Sequence, residues 1–73
     1  MSKQKRENFI RLAENRTNKI LDMIRLLGNL SNTSNYSYTK QDVIKIFTTL
    51  ETELAEAKKK FDTIGNDDKF TLL

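Results

Sequence analysis

The feature that most constrains this chain is a run of apolar residues at helical spacing. Val43, Ile46, Phe47, Leu50, Leu54, Ala57 and Phe61 follow one another at steps of three, one, three, four, three and four. That recurrence keeps one side of an α-helix apolar and fits no strand, whose period is two. No proline occurs anywhere in the 73 residues, so nothing forces a break within it. The spacing predicts a helix from Lys40 to about Phe61. Thr39 is placed as its N-cap and Asp42 as its capping partner, a shorter substitute for the usual Glu or Gln that also brings negative charge to the first turn.

A second, wider stripe precedes it. Phe9, Leu12, Ala13, Ile20, Met23, Ile24 and Leu27, broadened by Ile10, Leu21 and Leu26, predict a helix from about Gln4 to Leu27, with Gly28 where a left-handed C-terminal cap belongs. Between the stripes, Gly28 to Tyr38 is dense in Asn and Ser, which compete with helical backbone hydrogen bonds and favour turns. The expected fold class is therefore all-α: an antiparallel two-helix hairpin over 1–64 with a polar loop. Gly65-Asn66-Asp67-Asp68 marks a break, and 65–73 is expected to be a loose, flexible C-terminal tail. Such a hairpin has little interior, and chains of this size hide only about 60% of their unfolded surface. Completion by an oligomer or a larger partner is the expectation.

Composition excludes several kinds of chemistry. The chain has no His and no Cys, so zinc sites, thiolate nucleophiles, imidazole bases and disulfides are ruled out. With two glycines there is no phosphate-cradling loop, and no pair of acids converges by spacing. The reading is a non-enzymatic protein without a cofactor or metal. Residues 1–11 carry no signal-peptide core and no apolar run is long enough to span a bilayer, so a cytoplasmic protein without a membrane partner is expected.

Charge is uneven. Residues 1–27 hold seven basic against three acidic residues, an excess of +4, whereas 39–64 hold five of each. The first helix is thus the part suited to an acidic protein or to phosphates. Lys58, Lys59 and Lys60 read as a solvated C-terminal turn of the second helix.

Specific residues stand out. Arg16 falls near the centre of the first apolar arc. Either its methylenes pack while the guanidinium reaches the rim or an acid of the second helix, or it meets a carboxylate or phosphate of a partner. Ile10, Leu21 and Ile44 lie at the stripe edges and are candidate partner contacts. Tyr36 and Tyr38 in the polar loop either cap the helix ends beside Leu30 or serve as interface or base-stacking anchors. Arg11, Asn18 and Arg25, at steps of seven, are candidate nucleic-acid contacts, offset by Glu7 and Glu14 on the same side.

The segments Phe9-Ile-Arg-Leu-Ala-Glu-Asn-Arg-Thr-Asn-Lys-Ile20, Ile24-Arg-Leu-Leu-Gly-Asn-Leu-Ser-Asn32, Tyr36-Ser-Tyr-Thr39 and Asp42-Val-Ile-Lys-Ile-Phe47 together resemble a group of small helical proteins encoded on bacterial mobile genetic elements. The resemblance spans Phe9 to Phe61. Within that group it resembles those accompanying an element-encoded A-family DNA polymerase. It implies an accessory subunit in element replication or priming, with no catalytic residues of its own and a DNA polymerase as partner. The alternatives are a small homodimeric DNA- or RNA-binding protein and an inhibitor of a host defence or replication enzyme.

Overall fold

The computed structural model describes residues 2–70, with side chains over 2–62. Two helices account for most of it: α1, Lys3–Asn29, and α2, Lys40–Phe70, with no strand among the described residues. The all-α class read from the two stripes is what the structure shows. The chain divides into two local units, Met1–Ser37 and Tyr38–Leu73, each organised around one helix.

In the first unit, α1 starts one residue before the expected position because Ser2 caps it. Ser2 is extended, with φ −79° and ψ 134°. Its Oγ accepts the Gln4 and Lys5 N–H groups at 3.1 and 3.3 Å, satisfying two of the donors that a helix start leaves without intrahelical partners. The N-terminal charges do not help: no acid occupies the first turn, and Lys3 and Lys5 sit against the positive end of the macrodipole.

The expected C-cap at Gly28 is not observed. The helix runs through Gly28 to Asn29, the capping residue is Leu30 at φ −71° and ψ −5°, and no described glycine has positive φ. The last turn instead tightens. Leu30 N–H donates to the Leu27 carbonyl and Ser31 N–H to the Gly28 carbonyl, both at 3.1 Å, so terminal acceptors are filled without a left-handed residue. Asn32 then turns the chain. Its carbonyl accepts the Asn35 and Tyr36 N–H groups at 3.2 and 3.0 Å, and its side-chain Oδ1 accepts the Ser34 N–H at 2.9 Å.

In the second unit the capping box forms as expected. Asp42 N–H donates to Thr39 Oγ1 at 3.0 Å and Thr39 N–H donates to Asp42 Oδ2 at 2.9 Å, so each residue satisfies the other. The helix then continues past Phe61, through the expected break at Gly65-Asn66-Asp67-Asp68, to Phe70. Each of those residues costs a helix only about 0.5–1 kcal/mol relative to Ala, and none removes a backbone donor as proline would. Residues 71–73 of the expected tail lie outside the described part.

Three substitutions test these termini. Gly28→Ala should stabilise α1 by about 0.5–1 kcal/mol, since its φ is helical and a Cβ there meets nothing within 4 Å; thermal melts by circular dichroism would show it, and a loss would restore the left-handed cap. Thr39→Ala and Asp42→Ala should each cost α2 about 1 kcal/mol, and the double variant less than their sum, because they share one reciprocal arrangement.

Candidate interaction surface on the first helix

The stripe on α1 faces outward along its whole length. Phe9 and Ile24 are about half exposed, Ile20 and Met23 more so, and only Ala13 and Leu27 are intermediate. At about 100° per residue its apolar arc covers roughly half the circumference. That is wider than the seam one neighbouring helix covers. The candidate edge contacts Ile10 and Leu21 are 39% and 41% exposed, so the face ends on accessible aliphatic groups rather than on a charged rim.

Arg16 sits within this face, and its own helix offers no counter-charge. The positions one turn away are Leu12, Ala13, Lys19 and Ile20, none of them acidic. The three other arginines of α1 have local partners at three residues' distance. Arg25 pairs with Asp22 at 3.2 Å, Arg11 donates to Asn8 Oδ1 at 3.3 Å, and the Arg6 guanidinium stands 6.0 Å from the centre of the Phe9 ring, at the outer limit of a cation–π contact. No hydrogen bond or ion pair joins Arg16 to another described residue. A guanidinium amid aliphatic side chains is the group that a carboxylate or phosphate from outside would engage with two parallel hydrogen bonds.

The candidate nucleic-acid contacts are placed differently. Arg11, Asn18 and Arg25 are exposed along the other side of α1, about 10 Å apart at 1.5 Å per residue. Two of them are engaged by neighbours, and the Arg25–Asp22 pair, with side chains 72% and 70% exposed, cancels charge where phosphates would need it. Glu14 lies between Arg11 and Asn18, so this side is close to neutral.

Tyr36 and Tyr38 are both exposed, and the backbone of Tyr36 is held by Asn32. Ile44 is 55% exposed on α2. It borders an open depression of about 350 Å³ lined by Gln41, Asp42, Ile44, Lys45, Thr48 and Thr49, where Thr49 Oγ1 already donates to the Lys45 carbonyl at 2.8 Å. No group of three or more metal-ligating side chains exists among the described residues, and no described helix is long and apolar enough to cross a membrane.

Sequence reasoning missed Ser2 and Asn32. Ser2 had a signal, a hydroxyl directly before the helical pattern. Asn32 had none that separates it from its many Asn and Ser neighbours.

Arg16→Leu should leave the helicity of the free chain unchanged or raise it, because it removes a charge from an apolar stripe without breaking any bond. Circular dichroism at low and high salt checks this; a marked loss of helicity would make Arg16 a structural residue. No family model, curated protein or solved structure matches the chain.

Proposed function

We propose that this protein is a non-enzymatic accessory or adapter subunit that docks the apolar face of α1 on a larger protein. The observation that carries the reading is the exposed stripe with Arg16 inside it and no acid three or four residues from it. A self-sufficient helix gains nothing from a charge at that place. A complex gains a charge-assisted anchor that also fixes register. The basic excess of α1, which opposes its own macrodipole at Lys3 and Lys5, fits the same reading, because it costs the isolated helix stability and suits an acidic or phosphate-bearing partner.

The resemblance to small mobile-element proteins supplies the kind of partner: an element-encoded A-family DNA polymerase, assisted in replication or priming, in the cytoplasm. Ile10 and Leu21 are assigned to the edge of the docking face, Ile44 and the tyrosine loop to secondary contacts. Direct nucleic-acid binding is the weaker reading, since Arg11 and Arg25 are locally engaged and Glu7 and Glu14 oppose them.

The test is capture of the tagged chain from native extract after nuclease treatment at high salt, with wild type and Arg16→Leu compared. An apolar docking face should retain a stoichiometric polymerase that Arg16→Leu binds at least about tenfold more weakly, the size of one lost charge-assisted contact. No retained protein, with nucleic acid recovered only when nuclease and high salt are both omitted, would overturn the adapter reading, because phosphate contacts weaken steeply with salt.

A further inference from the structure

The stripe of α2 is narrower than that of α1 and has a different period. Val43, Phe47, Leu50, Leu54, Ala57 and Phe61 follow at steps of four, three, four, three and four, the repeat of a coiled-coil seam, with Phe47, Leu54 and Phe61 at a positions and Val43, Leu50 and Ala57 at d. The flanking e positions are Ile44, Glu51 and Lys58, and the g positions Ile46, Glu53 and Lys60. Along both flanks acids come first and lysines follow. The macrodipole does not account for the lysines, since α2 continues to Phe70 and Lys58–Lys60 therefore lie inside the helix rather than in its last turn, where the sequence had placed them.

Nor do pairs within the helix account for the acids. The positions three and four away from Glu51 and Glu53 hold no basic residue. No hydrogen bond or ion pair joins Glu51, Glu53, Lys58 or Lys60 to another described residue. Seam residues remain open as well, with Leu54 70% and Phe61 63% exposed.

We infer that α2 pairs with α2 of a second copy of this chain, antiparallel, about a two-fold axis between residues 55 and 56. In that register Leu54 faces Ala57 of the other copy and Leu50 faces Phe61, so large side chains meet small or flat ones. The flanks then meet e to e and g to g. Glu51 faces Lys58 and Glu53 faces Lys60, each pair occurring twice by symmetry, with no like charges opposed. An antiparallel register one heptad-half away, with Phe47 opposite Ala57, sets Glu51 against Glu51 and Glu53 against Glu53. A parallel in-register pair satisfies only Glu53 with Lys58. Charge complementarity thus selects both the partner, a second copy, and its direction. This inference is independent of the adapter reading, which concerns α1.

Sedimentation of the full chain alone tests it. The chain should dimerise, and the pair Glu51→Lys with Glu53→Lys, or the pair Lys58→Glu with Lys60→Glu, should weaken self-association about tenfold or more, while an equal mixture of the two double variants recovers near wild-type affinity. Direction is read by disulfides, since the chain has no cysteine of its own. Leu54→Cys mixed with Ala57→Cys should cross-link chiefly to each other, because antiparallel pairing sets those positions face to face. A monomer at about 100 μM, where a dimer of ordinary affinity is populated, would overturn the inference. So would cross-linking of each cysteine variant chiefly to itself, or a mixture that fails to recover.

Discussion

A single α-helix satisfies its backbone hydrogen bonds internally but cannot bury its own apolar side, and everything else in this chain follows from that constraint. Both helices have well-made N-termini. Ser2 caps α1, and Thr39 and Asp42 cap α2. Capping and propensity together stabilise a helix by amounts of order 1 kcal/mol per device, whereas ordering each residue costs about as much again. Helices in proteins are held mainly by packing of their apolar faces. Here no described side chain is buried, so the stabilising surface is present in the sequence and waits on what covers it.

The two faces ask for different cover. On α1 the stripe is broad, bordered by Ile10 and Leu21 and interrupted by an arginine. On α2 it is a narrow heptad seam bordered by charges of both signs in separate blocks. A broad face with an arginine near its centre suits a shaped surface that supplies an anion at one point. A narrow seam with segregated charge suits another helix of matching pattern. The different widths, periods and charge layouts are what the two proposals rest on, α1 docking on a larger protein and α2 pairing with a second copy.

Much of this was legible because local spacing determines it. The positions of both helices follow from apolar periodicity, and the cap at Thr39 from its hydroxyl and the acid three residues on. The placement of Arg16 within the apolar arc is likewise a matter of counting. What was misread depended on small energies. Gly28 is as compatible with a helical φ as with a left-handed one, and the i, i+3 hydrogen bonds that end α1 removed the need for the latter. Gly65 to Asp68 weaken a helix without stopping it. Asn32 organises the loop through three hydrogen bonds that its composition shares with several neighbours. The partner is illegible for another reason: half of any interface, including the anion that would meet Arg16, belongs to the other molecule.

The central claim is that α1 is completed by a partner, and amide hydrogen exchange measures it most directly. In the free chain the α1 amides from Phe9 to Leu27 should exchange rapidly, as in a helix whose apolar face is uncovered, and should gain strong protection in the complex with the retained partner. Slow exchange of these amides in the free chain, with no further slowing on binding, would show that α1 is already covered without the partner and would contradict the account.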